Sequence, residues 1–146
     1  MFVLDTNILV AALQSRNGAS FRLIERALEG RLRYAVSVAL ALEYEAVLLR
    51  EGLRINSWAS AHELDILLDA LLAGANRIMP IRTRLRPTLA DPGDEMVLEC
   101  AVQAGADVIV TMNIRDFMAG SQLFRIDIMR PGEALARIEK EEEDNE

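Results

Sequence analysis

The chain has 146 residues, 51% of them hydrophobic, which fits one packed domain and excludes a disordered chain. Its formal charge of −7 argues against a protein that coats nucleic acid through a net basic surface, although much of that charge lies in the tail KEEEDNE (140–146). With Cys100 as the only cysteine, no run of about 18 apolar residues, and Asp5 arriving too early for a secretory signal, a cytoplasmic protein with no membrane partner is expected.

In chain order, MFVL (1–4) reads as a short buried strand that stops at Asp5, Thr6 and Asn7. The polar loop QSRNGAS (14–20) leads into the helix FRLIERALEG, where Leu23, Ala27 and Leu28 mark one apolar stripe and Gly30 is a stop. RLRYAV (31–36) predicts a second strand. Ser37 can cap a helix that runs to Gly52, and Ser57 or Ser60 can cap another within 57–74. NRIMPI (76–81) predicts a third strand, closed by the loop RTRLRPTLADPG, and Met79 reads as core. DEMVLECAVQAG (94–105) predicts a helix with an acidic first turn, which suits the helix dipole. DVIVT (107–111) reads as a strand bounded by NIRDF, and LFRIDIM (123–129) as the last strand. Pro131 opens a final helix. The domain is expected over 1–138, with 139–146 as an acidic disordered tail.

This alternation predicts a parallel sheet covered by helices on both faces. Ligands of such sheets bind beyond the carboxyl ends of the strands. Asp5 lies at such an end, as do Asn113 and Asp116, and Asp94 in DPGD can fold over the same edge.

Two absences prune the chemistry. His62 is the only histidine and sits in a polar stretch of a surface helix, so a Ser-His-Asp triad or a histidine-rich zinc site has little to stand on. Lys140 is the only lysine, so no GxxxxGK phosphate loop can be written. The remaining candidates are Asp5, Glu43, Asp94 and Asp116. Each has a plain alternative: Asp5 and Asp94 as helix caps, Asp116 as an Asx-turn residue. Glu43 lies on a helix apolar nearly all round, and the helical wheel does not choose between it and Glu45. Carboxylates gathered within about 5 Å repel one another by several kcal/mol at an effective dielectric near 20. They stay ionised together only around a cation, and an all-oxygen set suits Mg²⁺ or Mn²⁺.

On LDTNILV (4–10), LEYEAVLLR (42–50), DPGDEMVLECAVQAGADVIVTMNIRDF (91–117) and IMRPGEALARI (128–138), the chain resembles the PIN domain family, and within it the ribonuclease toxins of bacterial toxin–antitoxin pairs. The resemblance implies a three-layer α/β/α sandwich around a central parallel sheet, and a metal-dependent endoribonuclease that hydrolyses RNA phosphodiester bonds. It places Asp5, Glu43, Asp94 and Asp116 as the metal-binding and catalytic acids. Thr6, Asn7 and Thr111 fall at polar positions that support the cluster. Asn113 stands where many relatives carry aspartate. The implied cofactor is Mg²⁺ or Mn²⁺, and the implied partners are an RNA substrate and an antitoxin protein, with a homodimer as a further option. Arg82, Arg84 and Arg86 alternate before Pro87 and can meet an RNA backbone. The competing reading is a degenerate PIN domain that binds RNA or protein without cutting. A phosphoryl-acceptor domain is disfavoured by the missing lysine, and a DxD phosphatase by Asn7.

Overall fold

The computed structural model describes residues 1–79 and 88–146. Among these residues five short strands are each three residues long: β1 (Phe2–Leu4), β2 (Ala35–Ser37), β3 (Asn76–Ile78), β4 (Val108–Val110) and β5 (Asp127–Met129). All pair in parallel. β1–β4–β5 form one ladder and β2–β3 another, and a parallel bridge between Phe2 and Tyr34 joins them. The order across the molecule is therefore β3-β2-β1-β4-β5. Every residue of β1, β2 and β4 is buried, as expected where helices cover both faces of a parallel sheet.

Among the described residues seven α-helices lie in the crossovers, α1 (Thr6–Gln14), α2 (Ala19–Leu28), α3 (Val38–Leu48), α4 (Glu51–Asn56), α5 (Ala61–Gly74), α6 (Pro92–Ala104) and α7 (Met118–Phe124), and an eighth, α8 (Pro131–Asp144), follows β5. With the sheet between them they make a three-layer α/β/α sandwich. α6 packs along β1, β2 and β4, and its Val97, Leu98, Cys100 and Ala101 are buried. Its end is set by Gly105 at φ +65, a left-handed conformation that costs glycine nothing. α5 opens with a capping box: Ser60 Oγ accepts from Glu63 N–H, and Glu63 Oε1 accepts from Ser60 N–H. Ser60 rather than Ser57 is thus the cap.

Several boundaries differ from expectation. α1 begins directly after β1, where the sequence shows no polar stripe to announce a helix; its buried Ile8, Leu9, Ala12 and Leu13 face the core instead. The predicted helix 38–52 breaks at Leu49 and Arg50 into α3 and α4. Leu123 and Phe124 belong to α7 and not to the last strand, because Arg125 adopts φ +56 and turns the chain before β5. Met79 is not core; it is 64% exposed. Residues 139–144, expected to be disordered, continue α8. Arg26 contacts Glu139 and Glu142 at 3.5 and 3.4 Å, and Arg31 reaches Glu142 at 2.9 Å, so α2 gives these acids opposite charges to pack against. Among the described residues no helix is long and apolar enough to cross a membrane.

Candidate active site

Parallel pairing in register brings residues from distant parts of the chain to one edge. Leu4 pairs with Val110, so Asp5 and Thr111 follow side by side at the carboxyl ends of β1 and β4. The Asp5 N–H donates to the Val110 carbonyl at 2.9 Å. Asp5 is 7% exposed, and its Oδ2 accepts from Thr111 Oγ1 at 2.7 Å. Asp5 occupies the cap position of α1, yet its side chain makes no capping hydrogen bond. Its carboxylate is turned to β4 instead.

The polar residues around it form a connected rim. Thr111 is fully buried, and its Oγ1 also accepts from the Asn113 N–H at 3.0 Å and lies 3.5 Å from Asn7 Nδ2. Asn7 Oδ1 accepts from the Met112 N–H at 3.4 Å. Thr6 is buried, and its backbone helps hold the Asp5 charge. Asn113 joins this rim through its backbone; its side chain is exposed and caps nothing.

Asp94 sits in the first turn of α6 but is not its cap. That position belongs to Asp91, whose Oδ1 accepts from the Gly93 N–H at 2.8 Å, with Pro92 as the first helical residue. The Asp94 carboxylate is released from capping and half-buried. Its pKa is pushed up to about 6, first by burial and then by the charges of Asp5, Asp91 and Asp116. The Asp5 pKa is raised too, chiefly by burial. Its bonds to Thr111 and Thr6 oppose the rise, and the charges of Asp116 and Glu43 add to it.

The charges of Asp116 and Glu43 are felt at Asp5, and those of Asp5 and Asp116 at Asp94. Glu43 is half-buried on α3. Glu45 is exposed and lines a different groove with Asp65 and Asp69, so of the two it is Glu43 that lies toward Asp5. Asp116 is exposed in the turn Ile114–Phe117 beyond β4. Arg82, Arg84 and Arg86 lie outside the described residues.

The donor set is all oxygen, and the named influences on Asp94 are burial and other carboxylates alone. This chemistry fits a hard divalent cation. Among the described residues no three acidic, histidine or cysteine side chains converge closely enough to cage an ion. Mg²⁺ does not require such a cage, because it keeps several waters and is bound through one or two carboxylates with substrate phosphates.

Two supporting residues had no distinct sequence signal. Tyr44 is buried on α3 and its hydroxyl donates to the Leu4 carbonyl at 2.5 Å, directly beneath Asp5. Glu95, 2% exposed, accepts from the backbone N–H groups of Thr88 and Leu89 and ties the approach to α6 in place.

Comparison with curated proteins finds no match. A family model described as PIN domain matches residues 1–115. Asp5, Glu43, Asp94, Thr111 and Asn113 fall inside that span, and Asp116 lies one residue beyond it. PIN domains are generally nucleases and typically use a divalent metal. With most of its length matched and its strands, helices and acidic rim arranged as described, this chain belongs to the PIN domain family.

Proposed function

We propose that this chain is an Mg²⁺- or Mn²⁺-dependent endoribonuclease and the toxin of a toxin–antitoxin pair. One observation supports the catalytic part: Asp94, pushed up to about 6 by burial first, is pushed further toward its neutral form by the charges of Asp5 and Asp116, residues far from it in the sequence. A cation there reverses that penalty.

Asp5 and Asp94 would hold the ion most directly, and Glu43 and Asp116 would hold it through water or orient the attacking water. A divalent ion held there would supply Lewis-acid polarisation of a phosphoryl oxygen and a water of lowered pKa. Thr111 fixes the Asp5 rotamer through its 2.7 Å bond, and Asn7 and the Asn113 N–H fix Thr111 in turn. Tyr44 holds the end of β1 from below.

Cleavage of a single-stranded RNA with Mg²⁺ or Mn²⁺ tests this. Asp5→Asn and Asp94→Asn should each reduce cleavage to background without unfolding the protein, and chelator should do the same. Cleavage that survives both substitutions refutes the assignment. The toxin role predicts growth arrest on expression, relieved by Asp5→Ala. The groove between α3 and α5 supports an antitoxin partner: Leu48, Leu64 and Leu68 line it beside Glu45, Asp65 and Asp69 in about 390 Å³. An amphipathic segment with basic residues suits it.

A non-catalytic RNA- or protein-binding PIN domain is the second reading. Asn113, an amide where an acid is expected, favours it, and so does the lack of a ready three-ligand cage among the described residues. Metal-independent RNA binding without cleavage would establish it.

A further inference from the structure

A second feature lies on the same rim. The Phe2–Tyr34 bridge carries Asp5 level with Ser37, and Ser37 pairs with Ile78. Asp5, Ser37 and Ile78 therefore stand in line across β1, β2 and β3, neighbours about 4.8 Å apart in the pairing direction. Beyond Ser37 opens a slot of about 310 Å³, walled by Val38 and Ala41 of α3, Leu72 of α5, Arg77 of the edge strand β3 and Met79 just past its end. Its size is at the small end of the roughly 300–1,000 Å³ of ligand clefts.

The lining explains three oddities. Met79 and Val38 are 64% and 51% exposed although apolar. Arg77 lies on β3 among these apolar groups, and its guanidinium makes no ion pair with a described residue. Among the described residues the lining holds this cation and no carboxylate. The α3–α5 groove carries Glu45, Asp65 and Asp69, and the groove beside Trp58 carries Glu63; both repel a polyanion. Recognition of single-stranded RNA splays bases out onto aromatic or guanidinium planes and pairs phosphates with cations, and a mostly apolar cleft with one placed cation suits a flat, charged ligand.

Resting on the ribonuclease reading above, we infer that this slot is a nucleotide subsite: it takes a nucleobase of single-stranded RNA next to the scissile phosphate, with Arg77 on that nucleotide's phosphate. The apolar walls accept the base face, and the level register puts the slot one or two strand spacings from Asp5. A neighbouring nucleotide, not the one being cut, occupies it. The slot then contributes to which sequences are cut, a property the acidic rim alone does not set.

The test uses full-length Asp94→Asn protein in Mg²⁺ buffer and fluorescent eight-nucleotide RNAs of a single base each, with Kd read by anisotropy. Ala41→Phe, which fills the slot, should weaken binding about tenfold and narrow the spread of affinities among the homopolymers. Val38→Trp blocks the exposed mouth without entering the core and replaces Ala41→Phe if that variant fails to fold. Arg77→Ala should lower the slope of log K against log salt by about 0.7. Unchanged affinity, spread and salt slope in folded variants overturn the subsite and leave the ribonuclease reading standing. Failure of the Asp94→Asn protein to bind any of the RNAs, together with no cleavage by the wild type, overturns both.

Discussion

Thr111 Oγ1 donates to Asp5 Oδ2 across 2.7 Å, linking two residues 106 positions apart in the chain. It is shorter than the 3.5 Å contact between Asn7 and Thr111 beside it, and it opposes the burial that drives the Asp5 pKa up. Removing it should leave a less acidic, less firmly aimed carboxylate. Thr111→Val, nearly isosteric, should weaken Mg²⁺ or Mn²⁺ binding by about 10–100-fold, as the loss of a ligand's supporting partner typically does. Thr111→Ser should restore most of it. Calorimetric metal titration of the two variants checks this, and equal affinities would refute it.

Asp94 sets a pH dependence. Its folded pKa, about 6, exceeds the ordinary value of 3.8. The folded state therefore binds this proton more tightly than the unfolded chain does. In metal-free protein the stabilising contribution is complete below about 3.8 and is lost as pH rises through about 6. Asp94→Asn should raise the melting temperature at pH 8 and have little effect at pH 4. Because the ion needs the deprotonated acid, metal affinity of the wild type should fall as pH drops through about 6. Melting curves at the two pH values, with and without Mg²⁺, separate these effects.

The Tyr44 hydroxyl supplies a buried partner for the Leu4 carbonyl. Tyr44→Phe should cost about 1 kcal/mol, a fall of about 2–4 °C in melting temperature for a domain near this size. A loss of activity larger than the loss of stability would show that the end of β1 also shifts.

α7 approaches α6 closely at Gly120. A Cβ there would lie 2.7 Å from Leu98 Cδ1, and Leu98 is fully buried, so its methyls must shift within the core to admit it. Gly120→Ala should destabilise by about 1–3 kcal/mol. Pairing it with Leu98→Ala should cost less than the two losses combined, which thermal melts of the double variant would show.

The sequence marks β1 and β4 clearly, since MFVL and DVIVT are apolar runs bounded by polar residues. It marks the end of α2 by Gly30, but it puts the start of α6 at Asp94, two residues late, because the Asp91–Pro92 pair, a cap and a first-turn proline, reads equally well as a loop. α1 is not legible, because NILVAAL is apolar on most sides and its helical period is hidden. Leu123 and Phe124 mimic the alternation of β5, and only the left-handed turn at Arg125 separates them from it. For the candidate site, residue types suggested acids around an ion. Their convergence depends on strand register, and no local pattern encodes which strand lies beside β1. Asp94 could not be released from its capping role without weighing Asp91, and Tyr44 gives no outward sign that its hydroxyl points at Leu4.

The order β3-β2-β1-β4-β5 also has a consequence for synthesis. The ribosome makes Asp5 among the first residues, whereas Thr111 emerges 106 residues later. At about 5–20 residues per second, that is a delay of about 5–20 s. Until then β1 lacks its second neighbour and α6 has no finished bed, so a nascent chain cannot assemble the rim beside the very RNA machinery that is translating it. A chain halted before residue 107 should accordingly show no Mg²⁺-dependent gain in protease resistance, whereas release past 130 should bring it on.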